Sequence, residues 1–275
     1  MSDNPLKQYF RRPGVYIKLP SGGVSYSPND VEMPENGEFP IYPMTAIDEI
    51  TSRTPDALFN GSAVVDIIKS CVPNIKNPWV INNVDLDPIL VAIRTATHGS
   101  TMEIETECPS CTETSKFDVN LPAILAGFKP GDYQTPLQVT NDVIIKFRPL
   151  MYKETNEANM GQFQIQKSLQ NVLAMEEGDV KSAKVQDVMA SINTLATQLI
   201  AASIEYVKVP TATVMEREFI LEFLKNVGKQ EYDKIRDHSV ALRESTMNKP
   251  LDITCPHCTH EFSQGFSINA SDFFD

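Results

Sequence analysis

The stretch ITCPHCTHEF, Ile253–Phe262, stands near the end of the 275-residue sequence. Its Cys255-Pro-His-Cys258 has two chemical readings. In thioredoxin-type oxidants a Cys-x-x-Cys is a redox centre, because its first sulfur sits at a helix N-terminus that stabilises the thiolate. In zinc ribbons the same spacing is half of a tetrahedral metal site. The residues that follow weigh between them. Phe262, Gln264, Phe266 and Ile268 alternate as in a strand, and the 17 residues after Cys258 are too few for the elements that a thioredoxin fold places after its motif.

A second unit, Cys108-Pro-Ser-Cys111, repeats the pattern. Each unit follows an alternating stretch, MEIETE (Met102–Glu107) or LDIT (Leu251–Thr254), and precedes another, KFDV (Lys116–Val119) or EFSQGFSI (Glu261–Ile268). The template in both places is strand, knuckle, strand. A tight Cys-x-x-Cys turn sends both sulfurs to one side, and two such knuckles complete a tetrahedron around zinc. Cys108, Cys111, Cys255 and Cys258 are therefore the candidate metal ligands. Four thiolates leave no open position for water, so the expected Zn²⁺ is structural and not catalytic. The competing reading is four unligated thiols. The half-sites lie roughly 140 residues apart, well beyond a compact C-x₂-C-x₁₅₋₂₀-C-x₂-C motif. A single zinc would thus pin together the ends of a long insertion.

The remaining candidates are weaker. His257 and His260 are expected at the surface or beside the ligands, because four sulfurs already fill the shell. Cys71, on an apolar helix face, reads as a buried free thiol. His98 and His238 have no carboxylate or cysteine companions that sequence assigns. No phosphate-binding glycine loop, His-Glu-x-x-His or nucleophile elbow is present, and no catalytic or cofactor-binding residue is expected.

The formal net charge of −12 argues against a general nucleic-acid binder, which neutralises phosphates with Lys and Arg. Lys7, Arg11 and Arg12 make a local basic group that reads as a solvated N-terminal arm. The first residues lack the apolar core of a signal peptide, and no run reaches the roughly 18 apolar residues that span a membrane. The expectation is a soluble protein in a compartment where thiols stay reduced.

Working outward, PGVYIKLPSGGVSYSP reads as a hairpin turning at Gly22-Gly23, and the proline-rich PNDVEMPENGEFPIYPM as an extended surface segment. Helices are expected from Thr45 and from Thr54 with Pro55 at its first position, then along Val64, Val65, Ile68 and Cys71 to a stop at Pro73. Another starts at Asp85 or Asp87, buries Leu86, Ile89, Leu90 and Ile93, and stops at Gly99. After the first knuckle and a short apolar segment comes a second hairpin around Asn141-Asp142. From Tyr152 to Asn248 the spacing is helical, with stripes at Ile165/Leu169/Val172/Leu173, Val188/Ile192/Leu195/Leu199/Val207 closed by Pro210, and Phe219/Ile220/Phe223/Leu224/Val227.

MPENGEFPIYPMTAIDEITSRTPDALFNGSAVVDIIKSCVPNIKNPW, then VDLDPILVAIRTAT leading to CPSC, then IIKFRPLMYKE, resembles the baseplate proteins of T4-like contractile-tailed bacteriophages, the group linked to the baseplate hub and its assembly. The similarity is concentrated between Pro13 and Glu154. The resemblance implies a non-enzymatic tail component or assembly factor and supplies no catalytic residues.

The expected fold is α+β: an N-terminal hairpin and helices, a ribbon-like zinc site of four cysteines, and a largely helical C-terminal region. Its parts are 1–43 (hairpin and proline-rich segment), 44–120 (helices and first knuckle), 121–249 (hairpin and helical region) and 250–275 (second knuckle). The expected function is structural or assembly work in the baseplate hub, in the host cytoplasm during assembly and in the tail baseplate of the virion. Expected partners are other baseplate or tail proteins, with no nucleic acid, membrane insertion or small-molecule substrate. Two alternatives stand: a zinc-ribbon adaptor for nucleic acid or another protein complex, and an oxidoreductase. The first requires a basic face near the knuckles, where the sequence instead places Glu103, Glu105, Glu107 and Glu113.

Overall fold

The computed structural model describes residues 4–23, 25–54, 60–175, 178–246 and 250–265. They belong to two compact units, residues 1–129 with 247–275, and residues 130–246. The architecture is α+β, and every strand pairing among the described residues is antiparallel.

In the first unit, strand β1 (Val15–Ile17) pairs with β2 (Phe39–Ile41), which comes from the proline-rich segment. The local hairpin expected at Gly22-Gly23 does not form; the glycines make a turn, with left-handed φ of 68° and 71°, that leads elsewhere. Nor is the proline-rich segment purely superficial, since Phe39 and Ile41 are fully buried and Val31 bridges to Ile75. The alternation Phe39-Pro40-Ile41 is too short to stand out as a strand. Pro40 is tolerated because a two-stranded ribbon leaves each strand an open edge.

Helix α1 (Ala46–Ser52) starts at Thr45 with a reciprocal cap: the Asp48 N–H donates to Thr45 Oγ1 and the Thr45 N–H donates to Asp48 Oδ2. The helix expected to start at Thr54-Pro55 runs, from Pro55 on, into residues outside those described. Helix α2 (Ser62–Cys71) buries Val64, Val65, Ile68 and Cys71 as its spacing requires. Helix α3 (Asn83–His98) is capped by Asn82, not by Asp85 or Asp87, and stops at Gly99 (φ 96°). Asp85 is fully buried and turned to the preceding loop, where its carboxylate accepts from the Ser21 N–H (2.9 Å), the Ser21 hydroxyl and the Tyr26 hydroxyl (2.6 Å). That network fixes the chain after β1 in place of a second strand. Arg11 is likewise no solvated arm: its guanidinium donates to the carbonyls of Pro43 and Ser70 and lies 3.4 Å from Asp48. Lys7 and Arg12, by contrast, are exposed.

Strands β3 (Thr101–Glu107) and β4 (Thr114–Asn120) form a regular hairpin across the first knuckle, followed by the short helix α4 (Leu121–Gly127).

The second unit begins with β5 (Leu137–Gln138) and β6 (Ile144–Phe147), the hairpin expected around Asn141-Asp142. Phe147-Arg148-Pro149 then turns into helix α5 (Tyr152–Leu173). Phe147 enters the core, while Arg148 grips Glu154 with both guanidinium nitrogens (3.0 and 2.6 Å) and Glu154 accepts from the Met151 N–H. Helix α6 (Asp179–Ala202) packs against α5. The helix does not run on to Val207. It ends at Ser203, and β7 (Ile204–Val209) with β8 (Ala212–Val214) completes a sheet of order β5-β6-β7-β8. Ile204 and Val207 happen to satisfy a helical spacing, but the β-branched run Ile204, Val207, Val209 favours a strand, and Pro210 sits in the following turn. Helices α7 (Arg217–Asn226) and α8 (Lys229–Thr246) close a core that includes Ile145, Phe147, Ile204, Ile220 and Ile235.

The chain then returns to the first unit as β9 (Leu251–Thr254) and β10 (Glu261–Gln264), a hairpin across the second knuckle. The continued alternation expected at Phe266 and Ile268 lies outside the described residues. No helix among the described residues is long and apolar enough to cross a membrane.

Candidate metal centre

Each knuckle is built by the strand pair that carries it. In the first, the Cys108 N–H donates to the Glu113 carbonyl (3.0 Å) and the Thr112 N–H donates to the Cys108 carbonyl (2.9 Å). In the second, the Cys255 N–H donates to the His260 carbonyl (2.9 Å) and the Thr259 N–H to the Cys255 carbonyl (3.0 Å). The offsets are the same, so the two turns are one structure made twice. Thr112 and Thr259 occupy equivalent places with φ of 59° and 57°. This left-handed conformation is unfavourable for a β-branched residue, and it closes the turn so that the two sulfurs of each knuckle share a side.

The four sulfurs converge. Cys108 Sγ lies 3.7 Å from Cys258 Sγ, and Cys111 Sγ lies 3.7 Å from Cys255 Sγ. All four lie within 4.8 Å of one another. A tetrahedron with metal–sulfur bonds of ~2.3 Å has edges of ~3.8 Å, so the shortest separations match those of ligands around one ion. They are far too long for disulfides, and all four cysteines are free thiols. Four cysteines at this spacing can hold a metal ion, and they would do so within one unit built from two distant chain segments.

The electrostatics fit a cation. Burial opposes ionisation of Cys108, but the N–H groups of Cys111 and Ser110 and the neighbouring thiols outweigh it and bring its thiol down to about 6. Cys111 is pulled down by the Glu113 backbone, but burial and the three surrounding sulfurs outweigh that and push it up to about 12. One thiolate therefore forms readily and discourages the next; a divalent ion among the sulfurs removes that conflict. Cys108 and Cys255 are buried, Cys111 is partly buried and Cys258 is exposed.

The other sequence candidates are not brought to the cluster. His257 and His260 are exposed, and the His260 ring lies parallel to Phe262 at 6.3 Å. Cys71 is buried in α2, where desolvation first and then Asp48 push its thiol up to about 12, the state of an inert core thiol. His98 is exposed at the end of α3, and His238 packs on Phe147 in the second unit. Glu103, Glu105, Glu107 and Glu113 are exposed beside the first knuckle, so the face there is acidic. The two hairpins also touch through Thr106 Oγ1 and Gln264 Oε1 (3.1 Å).

Sequence reasoning missed the part played by Thr112 and Thr259. Their signal was present, since both motifs continue identically as Cys-Pro-x-Cys-Thr.

No curated protein and no solved structure matches the chain. The family model described as T4 bacteriophage base plate protein matches residues 19–275, which takes in both knuckles and the whole helical region between them. By that match over nearly its full length, the chain belongs to the T4 bacteriophage base plate protein family.

Proposed function

We propose that the chain is a non-enzymatic structural or assembly component of the hub region of a contractile-tailed phage baseplate, and that Cys108, Cys111, Cys255 and Cys258 hold one structural Zn²⁺. The family match over residues 19–275 carries the first part. For the second, the support is the donor set: four sulfurs at tetrahedral spacing complete the shell of an ion that favours thiolates. Such an ion supplies cross-linking, with no open position for a substrate.

In this reading residues 44–120 and 250–275 contribute one knuckle each. Residues 1–43 form the N-terminal segment, and residues 121–249 the hairpin and helical region held between the knuckles. Metal binding adds to folding free energy and offsets the entropy of closing so long a loop. The partners are other baseplate or tail proteins, met in the host cytoplasm during assembly. The acidic face at the first knuckle and the net charge of −12 weigh against nucleic acid as the partner.

The test is a phage with a stop codon in this reading frame. Incomplete baseplates and tails without the protein are the expected result; complete, infectious tails would overturn the reading. Mass spectrometry of purified wild-type virions then separates a resident component from an assembly factor.

A further inference from the structure

The hairpin of α5 and α6 is unlike the rest of the molecule. From Ala158 to Met175 its only charged side chain is Lys167, and from Val188 to Ile204 there is none, in a chain that is 22% charged. The charges collect toward the tip (Asp179, Lys181, Lys184, Asp187) and the base (Lys153, Glu154, Glu157). An isolated surface hairpin normally carries charges on its outer faces.

The seam between the helices is also incompletely covered. Val185, Val188, Ile192, Leu195 and Leu199 follow the spacing of a coiled-coil stripe, yet only Val188 is buried, and Ile192 is 40% exposed. Along the seam runs a groove of about 740 Å³. Its apolar floor includes Ile165, Val172 and Leu195; its rim is small or uncharged at Gly161, Ser168 and Ser191 and carries charge at Lys184 and Asp187. Two helices cannot cover their own seam; two more laid across it make a four-helix bundle.

We propose that this groove face seats the same face of a second copy of the chain, giving an isologous dimer through a four-helix bundle. Charge selects this occupant. Two copies that each carry −12 repel through most of their surfaces; the hairpin stem carries little charge, and the two charged residues lining its groove, Lys184 and Asp187, are of opposite sign, so two copies meet there with no excess of like charge. Small side chains at Gly161, Ala190 and Ser191 allow close approach of the helices. Charge depletion with exposed Met and aliphatic residues, here Met189 (49% exposed) and Ile192, is the composition of an interface centre. The charge-poor stem measures roughly 27 by 20 Å, so two copies bury on the order of 1,000 Å², the lower size of a specific interface. The proposal does not depend on the metal.

The test is sedimentation velocity of the full-length protein from about 1 to 100 μM, with Ser191→Glu and Thr194→Glu as variants. Both hydroxyls bond only to their own helix, at the carbonyls of Asp187 and Ala190, and glutamate is the better helix former, so the variants fold. The expected result is a species of twice the 30.7 kDa chain mass, dissociating at least tenfold more readily in each variant. Ile47→Glu, at an exposed apolar position of helix α1 in the first unit, should leave the dimer intact. A wild-type chain that is monomeric throughout the range overturns the proposal. So does a dimer sensitive to Ile47→Glu and indifferent to the hairpin variants.

Discussion

Cys108 and Cys258 bring their sulfurs to 3.7 Å across 150 positions of sequence. Neither knuckle offers more than two sulfurs, so each completes the other. The expected consequence is linkage. Purified protein should carry about one zinc per chain, and Cys108→Ser and Cys255→Ser should each lose it. The double variant should be little less stable than either single, because residues of one network are not additive. Elemental analysis and thermal melts on the three variants check this. One single variant retaining full zinc would show that the knuckles do not share an ion.

Thr112 and Thr259 give a second expectation, one that concerns backbone and not ligands. Thr112→Gly should keep the metal, because glycine adopts φ near 59° without a steric penalty. Its melting temperature should change little, since relief of strain offsets the greater freedom of glycine in the unfolded chain. Thr112→Pro should lose the metal, because proline fixes φ near −65° and removes the N–H that bonds to the Cys108 carbonyl. Equal zinc content in the two variants would show that the turn geometry is not what aims the sulfurs.

Legibility in the sequence divides along physical lines. The knuckles were readable because their residue type and spacing are those of a metal-ligand motif, and because the pattern occurs twice. Helices α2 and α3 were readable because their apolar positions repeat at helical spacing and their stops are Pro73 and Gly99. The partner of β1 was not. It lies beyond Gly22-Gly23, in a segment whose prolines masked a three-residue strand, and its pairing is decided by the burial of Phe39 and Ile41. The end of α6 was misread for a related reason: Val207 fits a helical stripe by position, and only its pairing with Ile145 and Val214 shows that it belongs to a sheet. Asp85 illustrates the general difficulty. By sequence it is an acceptable helix cap, but the groups that claim it, Ser21 and Tyr26, are dozens of residues away.

Asp85 also supports a third prediction. Its fully buried carboxylate is the shared acceptor for the Ser21 N–H, the Ser21 hydroxyl and the Tyr26 hydroxyl. Asp85→Ala leaves those donors buried without an acceptor and should cost about 2–4 kcal/mol. Tyr26→Phe removes one donor to the carboxylate and the acceptor of the Asn82 N–H but leaves both Ser21 bonds, so it should cost less, about 1–2 kcal/mol. Chemical denaturation of both variants measures the difference; a cost for Asp85→Ala no greater than for Tyr26→Phe would mean that the carboxylate does not organise the loop.

The last prediction concerns acid. His238 packs its ring 5.1 Å from Phe147, and its Nε2 is buried without a hydrogen-bond partner among the described residues. Burial lowers its pKa below the ordinary 6.5, with Asp132 opposing the shift. The unfolded chain therefore binds this proton at a higher pH than the folded one. Stability from keeping the ring neutral is complete above about 6.5 and is lost as pH falls through that value toward the lower folded pKa. Other groups act in the same range. His98 is lowered too, while Asp85 and Asp87 are raised by burial, Asp87 to about 6, and these carboxyls act with the opposite sign. The whole-protein profile mixes them all, so the informative quantity is a difference. His238→Phe keeps an aromatic ring against Phe147 and removes the titration. Wild type minus variant stability should fall as pH is lowered from about 7 to 5, with the contributions of His98, Asp85 and Asp87 cancelling. Denaturant titrations at several pH values supply that difference, and a flat one would place the His238 ring in water.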